Sequence, residues 1–156
     1  MENEVVIVAS KRTAIGSMQG ALQSVSAIKL GEAAIRGCLT QVPIETELLD
    51  EVFMGCVLPA GLGQAPARQA ALGAGIPNRV GCSTINKMCG SGMKAVMLAN
   101  DSIRAGTNQV VIAGGLENMT RAPYLLPNAR SGFRLGHTEC LDHMFIDGLE
   151  DAYESR

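Results

Sequence analysis

The sequence predicts an α/β fold built on a mainly parallel sheet, and three observations carry that reading. Short apolar runs alternate with stretches of helical periodicity, in the order βαβαβαβ. Most of the runs are apolar on both faces, as in strands covered from both sides. The available core is aliphatic: 47% of the 156 residues are hydrophobic, only 3% are aromatic and Trp is absent. Ala, Val, Ile, Leu and Met must fill such a core, with 18 glycines allowing close backbone approach. The length suits one domain with a sizeable core.

The elements follow in order. Val5 to Ala9 is a β-branched apolar run, expected as a buried first strand. From Ser26 to about Thr40 the period becomes helical: Ala27, Leu30, Gly31, Ala34 and Cys38 share a face, and Ser26 suits the N-cap. Glu51 to Leu58 is strand-like. Pro66 opens a short helix through Leu72 that Gly73 or Gly75 closes. Cys82 to Asn86 is a short strand, and Gly90 to Ala105 a helix ending at Gly106. Val110 to Ala113 is a fourth strand running into Gly114-Gly115. After Leu116 the texture changes to Pro, Arg, both His and short mixed segments, with no clear strand. Residues 141–153 are expected to hold a helical turn or two. The domain reading is therefore 1–116 as an α/β unit and 117–156 as an excursion from it. No internal repeat is visible.

Composition narrows the function. A net charge of −2 gives no electrostatic reason for a nucleic-acid partner. No apolar run is long enough to span a bilayer. The acidic start, Met1-Glu2-Asn3-Glu4, lacks the basic opening of a secretory signal, so a cytoplasmic setting is expected. The five cysteines, Cys38, Cys56, Cys82, Cys89 and Cys140, are odd in number, widely spaced and without CxxC, and read as free thiols. Cys38, Cys56 and Cys82 fall on predicted core faces, where Cys acts as a small hydrophobe.

Cys89 is placed differently. In Ile85-Asn86-Lys87-Met88-Cys89-Gly90-Ser91-Gly92 a strand gives way to a sharp turn and then a helix, with the thiol at the turn. Ligands of parallel sheets bind beyond the carboxyl ends of the strands. A helix start offers unpaired N–H groups and a positive dipole end, which favour the nucleophilic thiolate. Gly90 and Gly92 leave room for a thioester carbonyl, and the Cys89 backbone N–H is placed to serve an oxyanion. This is the layout of a hydrolase elbow with Cys for Ser. Local sequence alone leaves a buried structural thiol at a Gly-rich turn equally open. The following helix carries Met93, Ala95, Val96, Met97, Leu98, Ala99 and Ile103 nearly all round, and is expected to be buried.

Four segments, in order along the chain, resemble the thiolase family. Asn86-Lys87-Met88-Cys89-Gly90-Ser91-Gly92 resembles the N-K-x-C-x-S-G stretch around the acylated cysteine. Gly114-Gly115-Leu116-Glu117-Asn118-Met119 resembles G-G-x-E-x-M. Gly61 to Ala70 resembles G-x-G-Q-x-x-A-R-x-A, and Val8 to Gly16 the family's first strand and turn. The resemblance is strongest to acetyl-CoA C-acetyltransferases. It implies a thiolase-like layered α/β fold, of which this chain is the N-terminal βαβαβαβ half plus the start of an inserted loop and oligomerisation region. It also implies condensation of two acetyl-CoA to acetoacetyl-CoA through acetyl-Cys89, reversible by thiolysis, with no metal or organic cofactor. A 3-ketoacyl-CoA thiolase of fatty-acid metabolism is the near alternative, and a non-catalytic assembly piece the distant one.

The family's activating His, acid/base Cys and water-orienting Asn belong to a second half whose motifs are absent here, so this chain alone is expected to be inactive. The expected partners are acyl-CoA, that second half and further copies in a dimer or tetramer. Ser155-Arg156 suggests tryptic-like cleavage of a longer chain in an exposed loop. Leu149 matches a position packing near the pantetheine arm, or is a local apolar anchor. Arg134, with Arg121 and Arg130, forms a solvated face or a basic loop near the CoA phosphates. His137, Cys140 and His143 tempt a zinc reading, but three loop residues do not make a closed site, and surface or packing roles are expected. Gly114-Gly115 is not the G-x-G-x-x-G that a dinucleotide site needs.

Overall fold

A computed structural model describes residues 4–154. Met1 to Asn3 of the acidic start, and the expected cleavage point at Ser155-Arg156, lie outside these residues. Helix α1 (Ala27–Gln41) begins where Ser26 accepts the Lys29 N–H on its hydroxyl at 3.2 Å. It buries Ala27, Gly31 and Ile35, one residue per turn along a single face. Strand β1 (Glu51–Gly55) follows, then α2 (Pro66–Gly73), which starts on proline. Strand β2 (Gly81–Ile85), helix α3 (Ser91–Arg104) and strand β3 (Val111–Gly115) complete the repeating part. Gly106, at φ +74°, lets the chain leave α3 in a left-handed turn.

The sheet is parallel, in the order β2-β1-β3, with Met54 between Thr84 and Gly114 and Gly55 between Ile85 and Gly115. Alternation along β1 sorts the layers. Val52 and Met54 point into a core shared with Ile35, Leu49, Ala67, Ala70, Ala71, Ile76 and Val80, so α1 and α2 cover that face. Gly55 points the other way, onto Ser91 and Gly92 of α3. The result is three layers, α1/α2, sheet and α3. Asp50 fastens β3 to the centre: its carboxylate accepts the N–H groups of Gln109 at 2.6 Å and Val110 at 2.9 Å. These bonds, Val110's first, hold the Asp50 carboxyl below its usual pKa.

Two expectations are corrected. Val5 to Ala9 is not a strand: the segment pairs with nothing among the described residues, and Val6, Ile7 and Val8 are exposed, Ile7 by 80%. β1 is already flanked on both sides, and the N-terminal run does not reach the free edge of β3. Its β-branched residues give it strand propensity, but a strand also needs a partner ladder. Helix α3 buries only Ser91, Ala95 and Ala99, while Met93 (68%) and Met97 (50%) stand in solvent. One face of the helix meets the sheet, and among the described residues nothing covers the other.

Residues 117–154 are mostly turns. Single 3₁₀ turns at Met119–Arg121 and Ala129–Ser131 flank β4 (Tyr124–Leu125), which pairs antiparallel with β5 (Leu141–Asp142). Two-residue strands leave no period for sequence reading to find, which is why none was expected. The expected helical turn is present as a wide π turn, Phe145–Leu149. Among the described residues no helix is long and apolar enough to cross a membrane.

A Cβ on Gly55 would lie 2.5 Å from the Ser91 carbonyl carbon and 2.6 Å from the Gly92 nitrogen, backbone atoms that cannot swing aside. Gly55→Ala is expected to cost about 1–3 kcal/mol by overpacking. Gly92→Ala meets its nearest atoms at 3.7 Å and is expected to be neutral or slightly stabilising. Urea unfolding of the two variants measures the contrast, and equal midpoints would contradict the packing described.

Candidate active site

Cys89 sits where β2 hands over to α3. β1 leads into α2 on one face of the sheet, while its neighbour β2 leads into α3 on the other. Adjacent strands whose connections leave on opposite faces open a crevice beyond their carboxyl ends. The turn carrying Cys89 lies at that end of the sheet, and the cysteine is exposed.

The turn is held by its own side chains. Asn86 accepts the Met88 N–H on Oδ1 at 2.9 Å, an Asx turn. Ser91, almost fully buried, accepts the Lys87 N–H on its hydroxyl at 2.9 Å and donates that hydroxyl to the Met88 carbonyl at 2.5 Å. Ser91 thus staples both residues that precede the thiol. The strain falls on Met88, whose φ of +48° is a left-handed conformation for a residue with a side chain. Such outliers cost on the order of 1–3 kcal/mol and persist where the surroundings over-determine them. No side chain caps α3, whose N-cap is Gly90, so no side-chain acceptor competes for the N–H groups of its first turn.

The other thiols are placed differently. Cys56 is buried at the end of β1, and desolvation pushes its thiol up to about 12, with the Glu117 carboxylate 3.6 Å away reinforcing the rise. Burial also raises Cys82. Cys38 and Cys82 are half-buried rather than fully interior, and Cys140 is exposed on the 132–140 loop.

Sequence reasoning quoted Glu117 in a motif but gave it no task. Its carboxylate accepts the N–H groups of Val57 at 2.7 Å and Leu58 at 3.2 Å, tying the loop after β1 to the end of β3. An acidic residue just past a Gly-Gly strand end was the available signal. Leu149 is 55% exposed at the close of the π turn, and Arg134 is exposed, with no ion pair among the described residues. Neither is brought into contact with Cys89. Of the two places expected for these residues, His137 and Cys140 take the surface one, and His143 is buried in packing. Among the described residues no three His, Cys, Asp or Glu side chains converge as metal ligands. A cleft of about 300 Å³, with Lys29, Gln69 and Arg121 in its wall, is not lined by Cys89.

Comparison with known proteins identifies the family. The family described as thiolase, N-terminal domain, matches residues 5–156. The chain is 53% identical over 150 residues to acetyl-CoA acetyltransferase 1 of Arabidopsis thaliana, covering 96% of this chain and 36% of that protein. It is 52% identical over 150 residues to an acetyl-CoA acetyltransferase of Pseudomonas aeruginosa, covering 96% and 38%. A Gibberella zeae acetyl-CoA acetyltransferase, named as cytosolic, is 47% identical over 150 residues, covering 96% and 38%. The chain thus spans under two fifths of the length of these relatives.

Raising the folded Cys56 pKa above its ordinary value of 9.0 fixes the sign of a pH effect. Between 9.0 and about 12 the folded thiol keeps its proton while the unfolded one releases it, so stability is fully present below pH 9.0 and drains away above. Unfolding free energy should therefore fall more steeply with pH in this chain than in Cys56→Ala. With iodoacetamide under native conditions, Cys89 and Cys140 should alkylate first and Cys56 last; early alkylation of Cys56 would contradict its burial.

Proposed function

The chain belongs to the thiolase family, as its N-terminal domain, and from that premise we propose that it supplies the acyl-accepting cysteine of an acetyl-CoA C-acetyltransferase. The observation that carries the reading is the stapled turn: an exposed thiol at the carboxyl end of β2, behind a strained Met88 and in front of an uncapped helix. The names of relatives about half identical to this chain support acetyl-CoA as the substrate.

The chemistry runs in two transfers. The Cys89 thiolate attacks the acetyl carbonyl carbon, the carbon–sulfur bond to coenzyme A breaks, and CoA leaves as its thiolate. N–H groups at the start of α3 face the negative charge that builds on the carbonyl oxygen. A second acetyl-CoA loses a methyl proton to a base, and its carbanion attacks the acetyl-enzyme. The Cys89 sulfur departs and acetoacetyl-CoA forms. Covalent capture divides one hard carbon–carbon bond formation into two easier steps. Both substrates are thioesters, and no resident cofactor enters the sequence.

Among the described residues no base is hydrogen-bonded to the Cys89 thiol, so the reading assigns the base to the three fifths of the relatives' length that this chain does not match. It assigns the cover of α3's exposed Met93, Val96 and Met97 to the same portion or to a further copy, within an oligomer. A cytoplasmic setting is supported by the cytosolic relative. Leu149 and Arg134 are proposed to meet the pantetheine arm and the CoA phosphates.

A chimera of residues 1–156 with the remaining portion of the Pseudomonas aeruginosa relative tests the proposal. It should cleave acetoacetyl-CoA with free CoA, and peptide mass spectrometry after acetyl-CoA treatment should find acetyl on Cys89. Cys89→Ala should abolish both, and the 156-residue chain alone should show no turnover. A folded chimera that leaves Cys89 unmodified would sink the assignment, and a marked preference for longer 3-ketoacyl-CoA would redirect it to a degradative thiolase.

A further inference from the structure

His143 joins three separate pieces of chain at one buried point. It is 4% exposed. Its backbone N–H donates to the Pro123 carbonyl at 3.2 Å, just ahead of β4. Its ring reaches in two directions. Nε2 faces the backbone N–H of Ala60 at 3.4 Å, in the loop after β1, and Nδ1 lies 2.6 Å from Asp147 Oδ2, inside the π turn. The tautomer follows from the partners. A backbone N–H can only donate, so Nε2 must accept, and the ring proton sits on Nδ1, where Asp147 accepts it.

The surroundings make this a joint rather than an ornament. A Cβ on Gly148 would lie 3.3 Å from Leu58 Cδ2, so the π turn rests directly on the loop after β1. That loop is held by Glu117 through the N–H groups of Val57 and Leu58. A continuous polar chain therefore runs from the end of β3 through Glu117, the 57–60 loop and His143 to Asp147. Two residues beyond Asp147 stands Leu149, 55% exposed. π turns are frequent at functional sites. An aliphatic residue at 143 would fill the space but leave the Ala60 N–H and the inner oxygen of Asp147 unmatched.

We propose that His143 is a positioning residue that, as the Nδ1–H tautomer, holds the 141–149 segment on the loop after β1 and so fixes where Leu149 meets the pantetheine arm of the thioester. The second clause rests on the function proposed above; the first does not.

Two measurements separate them. On the 156-residue chain, imidazole ¹⁵N spectra should show the proton on Nδ1. His143→Leu should raise amide exchange at Ala60 and at Glu150, whose N–H closes the π turn on Phe145, by about tenfold, the scale of one lost buried hydrogen bond. His143→Gln should restore protection at Ala60, and His143→Asn at Glu150, so the joint stays testable if the leucine variant folds poorly. A proton on Nε2, or unchanged exchange at Ala60, overturns it. In the chimera, His143→Leu should raise KM for acetoacetyl-CoA by about tenfold with kcat nearly unchanged, the pattern of lost binding common to ground and transition states. Faster exchange with KM unmoved would make His143 structural only and overturn the positioning role. A chimera with His143 intact that never acetylates Cys89 would remove the function and the positioning clause together, with the exchange data still deciding the joint.

Discussion

The first turn of α3 lies directly against the backbone of β1, and only glycine at 55 leaves room for it. Beside it, a Cβ on Gly115 would meet the Gly92 Cα at 3.5 Å, ordinary contact, so the close seat of the helix is Gly55 alone. This seat sets the height at which α3 starts and therefore the tightness of the turn that must reach it from β2. Met88 takes the left-handed conformation and Ser91 the double hydrogen bond because the chain has five residues, 86–90, in which to leave a strand and enter a helix. The position of the Cys89 sulfur is thus a consequence of one missing side chain on a strand that does not carry it.

A second anchoring system lies at the same end of the sheet and is polar. Glu117 spans from β3 to the loop after β1, and Asn118 donates to the Leu22 and Val25 carbonyls at 3.1 and 2.6 Å, fixing the chain ahead of α1. Two adjacent residues past the Gly-Gly strand end therefore tie down loops that precede α1 and follow β1. Hydrogen bonds to a carboxylate are stronger than neutral ones. They order loops that contribute little to the hydrophobic core.

How much of this was legible in the sequence differs by kind of interaction. Three strands and three helices were readable because periodicity and capping residues report local structure: Ser26, Pro66 and Gly106 each do what their residue type suggests. Cys89 was readable because a thiol between a strand and a Gly-rich helix start is unusual in itself. The first strand was misread because pairing is a relation between segments, and Val5 to Ala9 records only its own propensity. Burial of α3 was misread for a related reason: its apolar circumference describes what the helix prefers, while exposure depends on what else the chain provides. Glu117 and His143 were missed as anchors because a side chain reaching a backbone N–H some 60 or 80 residues away leaves no local pattern.

The sheet ends on both sides in unpaired backbone, at the outer edges of β2 and β3. Natural sheets blunt such edges with charge, proline, bulges or a covering element. Here the β-branched run at 6–8 stands exposed, and the methionine-bearing side of α3 faces water on the sheet's far layer. Exposed strand edges template strand addition and exposed apolar faces favour coalescence, so this surface is expected to lower solubility as local concentration rises.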